Sequence, residues 1–318
     1  MTISSAGDVS VGAGNSKEAT IQSTNSGRVE GNPAYSFRGD LDTGMFNPNT
    51  DNTLAFSTGG TERLRISSAG VVSIPGTLSV TSGTTIGSLE IGHGANNDPA
   101  STVVGQNALD ANASAGTAVG NTAIGDGALT DLNHNDADYN TMVGRNAGAN
   151  ITSGDRNVGV GASALLNTDD GQYNSALGTN ALAANCGDAN TAVGKDALTA
   201  FTGSNATAVG SGALDACTTG AENVAVGNDA LGAVIDGHYN TAVGTRALAT
   251  DCGSSNTAVG REALVGCTGD YNVAVGSTAG DAITSGVQNT AVGHNSLGGT
   301  DTGHYNVAIG TSALQADC

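Results

Sequence analysis

Tryptophan is absent from this chain of 318 residues, proline occurs four times, and aromatic residues make up only 3%. Without large side chains a single broad core cannot be filled, so burial has to come from many thin layers. Lysine and arginine are scarce as well: ten of them stand against 29 acids, and the formal net charge is −19. A surface of that sign repels polyanions, which excludes nucleic acid and anionic lipid as partners. No run approaches the roughly 18 apolar residues of a membrane-spanning helix, so no membrane insertion is expected. The opening "MTISSAGDVS" lacks both the basic and the apolar segment of a secretory signal. Glycine is plentiful, at 49 residues, but does not recur at every third position as collagen demands. Charge density is low and small apolar residues return in fixed columns, which excludes a disordered chain.

What the chain has in abundance is repetition. "NTAVGKDAL" at Asn190–Leu198 returns as "NTAVGTRAL" at Asn240–Leu248 and as "NTAVGREAL" at Asn256–Leu264. The Gly of the "AVG" triplet recurs at Gly125, Gly144, Gly161, Gly178, Gly194, Gly210, Gly227, Gly244, Gly260, Gly276, Gly293 and Gly310, with a looser copy ending at Gly105. From Gly144 the steps run 17, 17, 16, 16 and repeat, a super-period of 66 residues. Cys186, Cys252 and Cys318 keep that interval, as do Tyr173, Tyr239 and Tyr305, which points to duplication of a four-unit block. A unit of this length is too short for a helical hairpin repeat and suits one coil of a solenoid.

"NTAVG" is a short β-favouring stretch closed by a residue that can turn. Strand alternation places Thr241 and Val243 on one side and Asn240, Ala242 and Gly244 on the other. The following Ala-Leu pair repeats too, with the leucines at Leu182, Leu198, Leu214, Leu231, Leu248 and Leu264. Each coil is therefore expected to have a Val/Leu side and an Ala/Gly side. One fills the narrow interior, and the other is so small-chained that another backbone must approach it, which oligomerisation would supply. The two variable letters after the Gly (Lys195 and Asp196, Thr245 and Arg246) are expected to face water. Each buried Leu contributes about 1.5–3 kcal/mol, so stability accumulates coil by coil. At about 4.8 Å per stacked strand, the steps from Gly105 to Gly310 make a rod about 58 Å long. The expected fold is all-β: a parallel β-roll or β-solenoid of 16–17-residue coils over residues 101–318. Small β-modules over 1–76 and a strand-and-turn connection over 77–100 precede it.

The "NxAVG" and "AL" columns resemble the head repeats of trimeric autotransporter adhesins, which implies a trimeric, left-handed parallel β-roll. The N-terminal stretch "YSFRGDLDTGMFNPNTDNTLAFSTGGTERLRISSAGVVSI" (Tyr35–Ile74) resembles a block that recurs in bacteriophage tail-fibre proteins. That resemblance implies a homotrimeric fibre of the virion tail used in host adsorption, with other tail or baseplate proteins at its ends and a host cell-surface glycan or protein as partner. "ISSAG" occurs at Ile3–Gly7 and again at Ile66–Gly70. The chain thus starts inside a module and stops inside a coil, as a piece of a longer fibre would, or one whose end another chain covers.

Candidate sites are few. "RGD" at Arg38–Asp40 reads as a solvated turn within the fibre block rather than a cell-adhesion signal. Asp40, Asp42 and Asp51 are candidates for a hard cation. "DLNHNDADYN" begins like a calcium loop with Asp131, Asn133 and Asn135, but carries Asp136 where the loop wants Gly and Met142 where it wants Glu. His93, His134, His238, His294 and His304 form no close pair, and His238 and His304 are copies in "GHYN". The five cysteines follow their repeat Gly by seven or eight residues with no CxxC spacing, and Phe201 and Leu297 lie near the same column. They read as reduced, buried small hydrophobes. Acidic residues are scattered over turns without the fixed pair of a glycosidase, no nucleophile elbow occurs, and the GxG of "VGVGAS" is the repeat itself. No cofactor and no catalysis are expected.

The expected function is a structural, non-catalytic, homotrimeric fibre located in a virion. A bacterial surface adhesin or extracellular filament is the alternative, and a glycan-degrading tailspike stands behind it. An ice-binding solenoid would need one flat array of regularly spaced Thr, which the sequence alone does not make evident.

Overall fold

The computed structural model describes residues 53–76, 100–109, 118–132, 137–299 and 302–315, together with residues 40–48 and the short strands before them. The chain divides into two compact units, Met1–Ser88 and Leu89–Cys318. No helix occurs among the described residues.

The first unit is an antiparallel sheet of eight strands. Its best-formed part comprises the strands Asp40–Phe46, Leu54–Thr58 and Thr61–Ile66. The last two are joined by Gly59 and Gly60, at φ +56° and +70°, with Thr58 opposite Thr61. That two-residue turn needs positive φ at both positions, and "TGGT" supplies it. Burial alternates along Leu54–Thr58, with Ala55 and Ser57 inward. The buried Ser57 hydroxyl donates to the Asp42 carbonyl at 3.0 Å.

The second unit is a β-solenoid, as the period requires. Thirteen three-residue strands, from Thr102–Val104 to Val307–Ile309, form one parallel sheet in sequence order. Every neighbouring pair is in register, as in Thr241↔Thr257, Ala242↔Ala258 and Val243↔Val259. The repeat glycines stack. Each sits at φ between +123° and +144°, and from Gly105 to Gly293 an added Cβ would lie 2.3–2.6 Å from the carbonyl oxygen of the next glycine in the column. Both the backbone angle and the close approach demand glycine. The backbone that comes so near is the next coil of the same chain, which corrects the expectation of a second chain on that side.

The expected alternation holds, but which side faces inward is a second correction. Ala242 is fully buried and Asn240 with it, whereas Thr241 is half-buried and Val243 is 37% exposed. The interior is filled by the strand Ala and by the Ala-Leu pair of the turn, so the expected Val/Leu side is split between outside and inside. A coil this narrow leaves little room for a large strand side chain once Leu enters from the turn, and Ala fills the inward strand position in ten of the thirteen strands. Leu129, Leu165, Leu182, Leu198, Leu214, Leu231, Leu248 and Leu264 are all fully buried. The leucines of this column adopt φ of +45° to +56°. A left-handed non-glycine residue costs about 1–2 kcal/mol, and burying Leu returns about 1.5–3 kcal/mol, so the column is favourable by a narrow margin. Gly148 and Gly280 take the place of Leu in two coils. There Ile151 and Met142, or Ile283 and Leu264, occupy the space a side chain would need.

Leu297 belongs to this leucine column, at φ +56°, and not to the cysteine column, where the sequence reading put it. Cys186, Cys217, Cys252 and Cys267 are free and buried and share their column with Ile151, Phe201, Val234 and Ile283, also buried. Cys318 lies outside the described residues.

Candidate functional site

The solenoid is best described as columns, each running from coil to coil. The first is buried and polar. Eleven of the thirteen strands are preceded by Asn, and in the regular pattern its Oδ1 accepts the N–H of the next coil's Asn while its Nδ2 donates to a Gly carbonyl of that coil. For Asn240 these bonds are 2.9 Å from Asn256 N–H and 2.8 Å to Gly253 O. The same pair of bonds recurs at Asn140, Asn157, Asn174 and Asn256. A fully satisfied buried amide ladder locks register between coils. Ala206 interrupts it. The sequence signal was there, in the Gly that stands three residues before the Asn in "GAEN", "GHYN" and "GSSN", but only the fold shows that the two groups meet.

The position two before the Asn forms an acceptor column at the coil edge. Asp138 accepts from Val119 N–H at 2.8 Å, His238 Nδ1 from Ala221 N–H at 3.0 Å, Asp270 from Ser254 N–H at 2.7 Å and His304 Nδ1 from Val287 N–H at 3.1 Å. His238 and His304 therefore have a backbone partner one coil back, while His93 and His134 lie outside the described residues. Among the described residues no three His, Cys, Asp or Glu side chains gather as a metal site.

The other candidates separate. Asp40 begins its strand, while Arg38, Gly39 and Asp51 lie outside the described residues. Asp42 supports the hairpin turn through its carbonyl, which accepts Gly60 N–H at 3.1 Å. Asp131 is exposed in a turn, and Asn133 and Asn135 lie outside the described residues. Burial pushes the thiols up: Cys217 from 9.0 to about 11 and Cys252 from 9.0 to about 12. Such groups stay protonated and unreactive at neutral pH. Burial also raises the carboxyls of Asp215 and Asp281, whereas hydrogen bonds from Lys195 and Asn180 lower that of Asp196.

Two columns face outward. On the sheet, Thr occupies the first strand position in eight of the thirteen strands, with Val158, Ser175, Val224, Val273 and Val307 in the others. Val, Leu or Ile fills the third position throughout. The Thr column is therefore interrupted at five strands and runs beside an apolar row. Leu177, Val226, Val243, Val259, Val275 and Ile309 are exposed large hydrophobics in that row. At the coil edge, the residue just before the Asn forms the second column, with exposed Tyr139, Tyr173, Tyr239, Tyr271 and Tyr305. Arg156 lies between the first two, its guanidinium 5.8 Å from the Tyr139 ring centre and 5.6 Å from that of Tyr173. The variable letters after the Gly are divided: the first is exposed, and the second, at positive φ, ties coils together, as Arg246 does with Glu262 at 3.0 Å.

No protein-family model, curated protein or solved structure matches the chain. Among the described residues no helix is long and apolar enough to cross a membrane.

Proposed function

We propose that this chain is the subunit of a homotrimeric, non-catalytic fibre, a shaft or spacer of a bacteriophage tail that carries host-adsorption surfaces. The observation that carries the reading is the outward Thr/Val face of the thirteen-stranded sheet. The third strand position is apolar in all thirteen strands and leaves six large side chains exposed, and an exposed apolar row of this kind marks an interaction surface. Thr holds the first position in eight of the thirteen strands and Val, Leu or Ile the third in all, so a second and third copy can register against repeated rows. The N-terminal block at Tyr35–Ile74 supports the virion setting through its resemblance to tail-fibre sequences. Other tail proteins at the chain ends and a host glycan or protein are the partners this reading supplies. A chain carrying V226K, V243K and V259K tests it: three lysines on the covered face should yield monomers at micromolar concentration while β-structure by circular dichroism is kept. Unchanged assembly would refute the interface.

A second reading is favoured by the Thr column. A parallel sheet presenting Thr and Val in fixed rows is suited to ordering water against a crystal face, as an ice-binding solenoid does. Thermal hysteresis of the wild-type chain would favour it over the fibre.

A further inference from the structure

The residue before each ladder Asn is held out of the coil by its backbone. Tyr239, Tyr271 and Tyr305 have φ of +59°, +58° and +61°. Their N–H groups donate to carbonyls one coil back, at 3.3 Å to Ala221, 3.1 Å to Ser254 and 3.2 Å to Val287. With the main chain fixed in this way, the rings stand in solvent, 59%, 61% and 73% exposed. Left-handed backbone is disfavoured for tyrosine, and exposed rings offset none of that through core burial.

Their spacing is regular. Tyrosine occupies every second coil here, with Ser255 and Gln288 between. At about 4.8 Å per coil the rings recur every ~9.6 Å along one edge. That interval is close to a disaccharide unit of an extended β-1,4-linked chain, whose sugar rings offer apolar C–H faces to aromatic platforms and hydroxyls at their rims. Hydroxyl partners flank the tyrosines. The His238 and His304 rings lie 6.0 Å and 6.2 Å from Tyr239 and Tyr305. Each uses Nδ1 to accept a backbone N–H, which leaves Nε2 as its other polar atom. Asp270 accepts Ser254 N–H through Oδ1 and brings a carboxylate beside Tyr271. The carboxylate and the net charge of −19 disfavour an anionic chain. The earlier pair differs, because Arg156 fills the interval between Tyr139 and Tyr173.

We propose that Tyr239, Tyr271 and Tyr305 form a ladder that binds an extended, neutral β-1,4-linked polysaccharide lengthwise along the coil edge. The proposal rests on the fibre reading, for which it names the ligand class. The test uses the full chain in native gels containing hydroxyethyl cellulose, with calorimetry against cellohexaose. The wild type should be retarded, and long chains should bind more tightly than short ones because successive rings act together. Y271A should weaken binding about tenfold, Y271F should keep most of it, Y139A should leave it unchanged, and the variant with all three ladder tyrosines replaced by alanine should migrate as in a plain gel. Equal migration of the wild type in both gels, equal retardation by hyaluronan, or full binding by the triple variant would overturn the ladder. Light scattering on the same samples separates the two readings. A trimer without glucan binding removes the ligand and leaves the fibre, whereas a monomer that binds glucan removes the fibre and leaves the ladder.

Discussion

Gly59 and Gly244 both sit at positive φ, +56° and +135°, yet their surroundings are opposite. A Cβ on Gly59, at the tip of a hairpin in the N-terminal sheet, would have nothing within 4 Å; on Gly244 it would lie 2.5 Å from the Gly260 carbonyl oxygen. In the first unit glycine serves one local turn, and each strand meets neighbours through varied side chains. In the solenoid every column position meets its own copy 16 or 17 residues away, so one residue type must be right many times over. Repetition adds small stabilising increments, and it also makes each column position sensitive to added volume.

The largest test of this contrast is G244V against G59A. G244V combines a backbone clash with a disfavoured φ and should destabilise the solenoid by about 4–5 kcal/mol, whereas G59A should cost the first unit about 1 kcal/mol. Denaturant unfolding followed by circular dichroism reads both, and similar losses would break the comparison. Next comes a pair of facing residues. Met142 takes the strand position that Ala fills in ten of the thirteen strands, and its partner in the next strand is Gly159, whose added Cβ would lie 2.4 Å from Met142 Sδ. G159A should cost about 2–3 kcal/mol by overpacking, and M142A in the same chain should recover at least ~1 kcal/mol of that, a coupling expected only of touching residues. A purely additive cycle would contradict it.

The amide ladder gives a third, smaller effect. N240A leaves buried partners at Asn256 and Gly253 and should cost about 2 kcal/mol, while A206N, which continues the ladder, should raise stability by up to about 1 kcal/mol. The last effect, the pH dependence of the thiols, is confined to alkaline solution. The folded chain holds Cys217 and Cys252 protonated to about pH 11 and about pH 12, whereas the unfolded thiols ionise from about 9.0. Stability from these groups is complete below pH 9.0 and falls as pH rises toward the folded values, by about 1.4 kcal/mol per unit for each thiol. C217A and C252A together should flatten the alkaline slope; an unchanged slope would assign it to other groups.

The period, the glycine column and the parallel stack were legible in the sequence because each demands one residue type at a fixed interval. The facing was not. Thr-Ala-Val alternates equally well either way, and valine is the more apolar choice, but the interior width is set by Leu and Cys arriving from the turns, and Ala is the residue that fits beside them in ten of the thirteen strands. The left-handed leucines were equally hidden, since Leu carries no preference for positive φ and only its neighbours hold it there. Asn240 was placed on the correct face, but its role as a ladder rung depends on which Gly carbonyl the next coil presents. Tyr173, Tyr239 and Tyr305 were visible as super-period copies, while Tyr271 went unnoticed between the last two because it breaks that interval.

The central claim is that the Thr/Val face is covered by further copies of this chain. Static light scattering on the purified wild type tests it most directly. The account predicts a β-rich particle of about three times the 30.8 kDa chain mass; a β-rich monomer, stable with that face in water, would contradict it.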